Sequence, residues 1–156
     1  MKKRNKKYTP KPVFVFGGLA AFENIAQRTA DKLTIPKSDA DDCATAYWVS
    51  FSQLTHGDAL EENWSTVACA LDVGLVLCRQ DVGAEYEACF ISALDGMIRA
   101  RERGATTGCY RLDGDALKLV TECLHVHDEQ MKIATRAEVK YSLNEIYKAI
   151  KNGNCI

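Results

Sequence analysis

The chain has 156 residues, of which 47% are hydrophobic and 26% charged, proportions that suit one globular domain long enough to bury a genuine core. Its net charge of -1 hides an asymmetry: residues 1–12 carry six basic side chains and no acid, residues 13–97 four basic and thirteen acidic, and residues 98–156 ten basic and eight acidic. Charges interrupt every apolar stretch before membrane-spanning length, and the basic start is followed by a short apolar run and Gly17-Gly18 rather than a secretory h-region. An intracellular protein with no membrane partner is expected.

The first element is a tail. Pro10 and Pro12 forbid helix and favour an extended, polyproline-like path, so residues 1–12 are predicted to be a flexible arm and residues 13–156 a single helical domain. Lys2, Lys3, Arg4, Lys6, Lys7 and Lys11 would supply contacts to nucleic acid or to an acidic protein surface. A loose, solvated terminus accounts for the same composition. Val13 to Phe16 reads as an extended or helical lead-in, and Leu19, Phe22, Ile25 and Ala26 then recur at helical spacing over residues 19–30.

Ile35-Pro36 breaks the chain. Ser38 with Asp41 resembles a cap opening a helix over residues 38–54, with Cys43, Tyr47, Phe51 and Leu54 along it. Residues 58–79 form the central element, where Leu60, Trp64, Val67, Leu71, Leu75 and Cys78 mark one helical face. Asp58 and Glu61 are spaced as a capping box, and the second half is apolar on nearly every side, so this helix is expected to run through the core. A fourth helix follows from residue 84 to about 103, then an irregular stretch over 104–114. A fifth helix carries Leu117, Val120, Leu124, His127 and Met131; Thr135 and Glu138 box the start of the last, along Val139, Leu143, Ile146 and Ile150. The predicted fold is all-α, a bundle of five to six helices, with antiparallel hairpins at residues 55–57 and 132–135.

Candidates for chemistry are sparse. Seven cysteines without a C-x-x-C pair read as reduced, structural residues, most of them on apolar helix faces. His125 and His127 lie two apart and point to opposite sides of a helix, so they cannot share a metal, and His127 falls on the apolar face as a core histidine. No nucleophile signature, glycine-rich phosphate loop or paired Glu-x-x-His set is present, and no enzyme, metal or cofactor is predicted. The acids Asp39, Asp41, Asp42, Asp58, Glu61 and Glu62 are read as clustering around the second hairpin, a surface suited to a basic partner, although acids at helix starts serve the helix dipole in any case. Arg99, Arg101 and Arg103 read as helix C-terminal charges.

The tail K-K-Y-T-P-K-P-V, the middle N-W-S-T-V-A-C-A-L-D-V-G-L-V-L-C, the following G-A-E-Y and the late R-L-D-G-D-A-L-K-L-V and L-H-V-H-D-E-Q-M together resemble a family of small phage- and prophage-encoded proteins of proteobacteria. The likeness covers nearly the whole chain, through packing residues and the tail rather than catalytic signatures. It implies expression in the cytoplasm of a bacterial host and a non-enzymatic accessory role: binding, and modulating or inhibiting, a host protein or protein complex, including a defence system in the manner of anti-CRISPR proteins. The alternative is a nucleic-acid-binding accessory protein acting through the tail. An oligomer is left open.

Overall fold

Pro36 sits where a proline is best tolerated, immediately before a helix, and the first long helix of the computed structural model starts on the next residue. The structure describes residue 24 and residues 26–153; the basic residues of the tail and the lead-in at Val13 to Phe16 lie outside that range. Residues 26–31 are helical. Five longer helices follow: α1 Lys37–His56, α2 Glu61–Cys78, α3 Glu87–Thr107, α4 Gly114–Ile133 and α5 Arg136–Lys151, with a single 3-10 turn at Ala84–Tyr86. Among the described residues there is no strand, only an isolated antiparallel bridge between Thr34 and Thr135. The fold is all-α, and among the described residues no helix is long and apolar enough to cross a membrane.

Two of the three expected caps differ from the sequence reading. Ser38 does not cap α1: its hydroxyl donates to Asp39, and the helix already begins at Lys37. Asp58 does not cap α2 either. Ala59 is buried and Leu60 is extended, so the chain turns into helix later, and the Leu60 N–H donates to Asn63 Oδ1 at 2.9 Å. The box at α5 forms as expected. Thr135 Oγ1 accepts from the Glu138 N–H at 3.3 Å, and Glu138 Oε2 accepts from the Thr135 N–H at 2.7 Å. An unforeseen cap holds α4, where Asp113 Oδ1 accepts from the Ala116 N–H at 2.8 Å.

The central helix α2 packs against each of the other four long helices. Leu71, Phe90, Met97, Val120 and Leu124 are fully buried around it, and the Trp64 indole N–H donates to the Met97 carbonyl at 2.8 Å, fastening α2 to α3. Gly74 permits the close approach: a Cβ there would lie 2.3 Å from the Phe90 ring and 3.1 Å from Gln130 Oε1. Gly104 corrects the predicted end of α3. The helix runs on to Thr107, because Gly104 serves not as a stop but as a gap that the Tyr110 ring fills, 2.4 Å from where a Cβ would be.

The second expected hairpin is also corrected. Ala134 and Thr135 are both extended, so the chain swings away from α4, and α5 packs along α2 instead. Its base is held by Gln80, whose side-chain amide donates to the Glu138 carbonyl at 3.2 Å and to Ser142 Oγ at 3.0 Å. The Arg136 N–H donates to the Leu33 carbonyl at 2.9 Å, tying the segment before α1 to the same corner.

Gly74→Ala is expected to destabilise the fold by about 1–3 kcal/mol through overpacking against Phe90, with Phe90→Leu restoring part of the loss. Urea denaturation of the single and double variants measures both. A stability gain, as an open helix position would give, contradicts this account.

A candidate binding groove along the central helix

Ser65, Cys69, Asp72 and Val76 recur at spacings of four, three and four, so they share the side of α2 that the core does not use. They form the floor of an open groove of about 1050 Å³. Cys43 and Tyr47 of α1 line it, as do Leu143, Ile146 and Ile150 of α5. The groove exists because α5 is anchored at its base but incompletely covered: Ser142 is its single buried residue, while Leu143 and Ile150, on its apolar stripe, stay 39% and 52% exposed. An amphipathic helix normally buries that stripe.

Asp72 is the groove's unusual group. It has no hydrogen-bond or ion-pair partner among the described residues, and desolvation by the surrounding apolar side chains pushes its carboxyl up to about 7. Desolvation by the groove walls also raises the Cys69 thiol, although part of the residue stays open to water, with Asp72 and Cys43 adding to the effect. Cys43 and Cys69 are the exceptions to the expectation that most cysteines pack as small hydrophobes: their residues are solvent-exposed, whereas Cys78 and Cys123 are buried and Cys89 and Cys109 half-buried.

Behind the wall made by Tyr47 lies a polar clamp. The Tyr47 hydroxyl donates to Asp128 Oδ1, and the Trp48 indole N–H donates to Asp128 Oδ2 at 3.1 Å, so one carboxylate of α4 holds two aromatic residues of α1. Burial, then the Asp128 carboxylate, hold the Tyr47 phenol well above its usual range. The His125 ring lies 4.8 Å from Trp48 and is exposed to solvent, whereas His127 is 3% exposed, with Nδ1 3.4 Å from Gln130 Oε1. Desolvation drives the His127 pKa down to about 4, so it is neutral at pH 7. The two histidines therefore point apart, as their spacing predicts. Among the described residues no three His, Cys, Asp or Glu side chains are grouped to hold a metal ion.

The predicted acidic surface does not come together. Asp39, Asp41 and Asp42 lie at the start of α1, and Asp58, Glu61 and Glu62 lie just beyond its other end. Most of the length of α1 lies between the two groups, a separation of about 20–25 Å. Of these six acids only Glu61 lines the groove. Glu87, at the far end of α2, pairs with Arg79 at 2.9 Å. Two of the three arginines of α3 are drawn to one acid: Arg99 and Arg103 lie 3.0 and 3.8 Å from Asp113, while Arg101 sits 5.1 Å over the Trp64 ring.

Sequence reasoning missed the groove. Its signal in the sequence is Asp72, an acid within the most apolar of the described helices. The position of α5 carried no local signal. Comparison with protein-family models, curated proteins and solved structures finds no match for this chain.

Apolar walls around one carboxyl fit an amphipathic helix that brings an apolar stripe and a cation. The carboxyl itself makes a test of the site. Because its folded pKa is raised, its ionisation works against the fold: the protein is favoured while Asp72 stays protonated and loses that advantage as pH rises from about 4 through 7. Asp72→Asn is therefore expected to match the wild type near pH 4 and to exceed its stability above about pH 7 by roughly 1–3 kcal/mol, allowing for partial exposure. Urea denaturation at a series of pH values reads this out, and a difference that does not change with pH contradicts it.

Proposed function

We propose that this is a non-enzymatic accessory protein of phage type that binds a host protein complex and modulates or inhibits it, using the groove along α2 as its contact. The observation that carries this reading is the open, apolar-walled groove with the carboxyl of Asp72, which has no partner among the described residues, in its floor. Buried apolar area supplies most of the affinity in helix-in-groove recognition, and covering the part of Leu143 and Ile150 still exposed is worth about 1 kcal/mol each. A lysine or arginine of the partner placed beside Asp72 would hold the carboxylate ionised in a site where water is scarce.

The partner class is thus an α-helical segment with one apolar face and a cation within it. The distant acids at the two ends of α1 act as steering charges for a basic partner rather than as one docking face. Inhibition of a defence complex is the biological outcome that the resemblance to prophage proteins favours. The reading that places nucleic acid on the tail gains no support from the described residues.

Tagged full-length protein should recover a specific partner from a proteobacterial host lysate, nuclease-treated to remove bridging nucleic acid. Val76→Glu and Asp72→Lys should each lower that recovery by about tenfold or more, the effect of some 1.4 kcal/mol. Recovery of the same partner undiminished by both substitutions places the contact elsewhere and overturns the groove reading.

A further inference from the structure

We propose that Cys89 and Cys123 form an oxidation site, at which a hydroperoxide converts the two thiols into a disulfide that ties α3 to α4. Neither residue lines the groove, and the inference does not rest on the groove's role.

Small residues bring the two helices together. Cys89, Ala93, Gly96 and Ala100 recur along α3 at spacings of four, three and four, and Ala93 and Ala100 are fully buried. At Gly96 the neighbour is Ala116 of α4, whose Cβ lies 2.5 Å from where a Gly96 Cβ would be. Arg99 with Asp113, Gly96 with Ala116 and Cys89 with Cys123 step in opposite senses along the two helices, the register of an antiparallel pair. Close-packed helices put facing Cα atoms roughly 5 Å apart, within the span that a disulfide bridges. The sulfurs are already in contact: Cys123 Sγ donates to Cys89 Sγ at 3.2 Å. Closing the bond asks for side-chain rotation, not a shift of helices.

Two cysteines could share this seam merely as small hydrophobes. Their unequal access gives the pair a chemical order instead. Cys89 is half-buried at the edge of the core, whereas Cys123 is fully buried, so an oxidant meets Cys89 first. The Cys89 sulfur attacks one peroxide oxygen, the O–O bond breaks, and the thiol proton leaves with the other oxygen; from hydrogen peroxide this gives Cys89 sulfenic acid and water. The Cys123 sulfur then attacks the Cys89 sulfur, the S–O bond breaks, and the Cys123 proton joins the departing hydroxide as a second water. The two sulfurs lose two electrons between them, and the two peroxide oxygens gain them. Burial, then the contact with Cys89, hold the Cys123 thiol well above its ordinary range, so it keeps its proton until a sulfenic acid stands beside it. Cys78, also buried, is engaged elsewhere, its sulfur accepting from Gln130 Nε2 at 3.3 Å. In a reducing compartment the bond is transient: peroxide forms it and thiols reopen it.

The test uses the reduced, full-length chain, treated with hydrogen peroxide and then alkylated with N-ethylmaleimide in denaturant. The expected product carries two fewer alkyl groups than the untreated chain. A digest made without reductant should contain one joined peptide pair, Cys89 to Cys123, and dithiothreitol should reverse both changes. Cys123→Ala should leave Cys89 as a sulfenic acid that dimedone traps. Cys89→Ser should leave Cys123 unoxidised at peroxide doses that convert the wild type, with circular dichroism showing that both variants are folded. The peptide mapping is done on the wild type and needs no substitution. Peroxide that joins the exposed thiols Cys43 and Cys69 instead, or joins no pair, overturns the proposal. So does a Cys89–Cys123 link that forms as readily in denaturing urea, or Cys123 oxidised at the wild-type rate in Cys89→Ser.

Discussion

Everything in this fold depends on how near α2 can come to its neighbours at Gly74. With no side chain there, the Phe90 ring of α3 and the Gln130 amide of α4 both reach the α2 backbone. Gln130 uses the access fully. Its Nε2 donates to the Gly74 carbonyl at 3.1 Å and to the Val82 carbonyl at 2.7 Å, beside Cys78 Sγ at 3.3 Å, while its Oε1 faces His127. A buried amide with its donors and acceptor satisfied fixes one arrangement of three segments, because any slip would strand polar groups in an apolar interior. The link from α4 to the turn after α2 thus sets where α3 begins, and with it the packing of Phe90, Met97 and Trp64.

That same arrangement explains the groove. α1, α3 and α4 surround the core side of α2 and contact one another as well, α3 with α4 and α1 with α4, so that side closes on itself. Among the described residues α5 has no such second partner of comparable extent. It is tied at its start by the Thr135–Glu138 box and by Gln80, and beyond Ser142 it follows α2 with no other described long helix packed closely beside it. The apolar stripe of α5 is therefore a real stripe with an incomplete counterpart. Close packing is concentrated on one side of α2, and the other side is left as an open groove.

Much of this was legible in the sequence. The helical periodicities of Leu60 to Cys78, of Leu117 to Met131 and of Val139 to Ile150 all correspond to helices, because 3.6-residue spacing is local information. The Thr135–Glu138 box was legible for the same reason. Asp58 and Ser38 misled because a cap needs the backbone to be extended at that residue, and buried Ala59 and N-terminal Pro36 set that geometry instead. Gly104 misled because a glycine spared for a ring contact looks, in one dimension, like a glycine that ends a helix. The direction of α5 and the separation of the two acidic groups depend on how helices are placed in space, which periodicity does not encode.

The contrast between the two kinds of acid here decides where binding energy can reside. Asp39, Asp41, Asp42, Asp58 and Glu62 stand in water, and at physiological salt charges more than about 8 Å apart are largely screened from one another. Two groups about 20–25 Å apart cannot act as one field on a docked partner; they can bias its approach. Asp72 is different, because apolar walls have already removed part of its water. A cation brought beside it meets a carboxylate whose desolvation the fold has already borne, so more of the attraction remains as net affinity than at an exposed pair. An asparagine would make α2 a more stable helix at neutral pH and leave the groove with nothing to distinguish one apolar helix from another. The carboxyl is a local conflict in an otherwise consistent core helix, and such conflicts in folded proteins tend to fall where the surface has something to recognise.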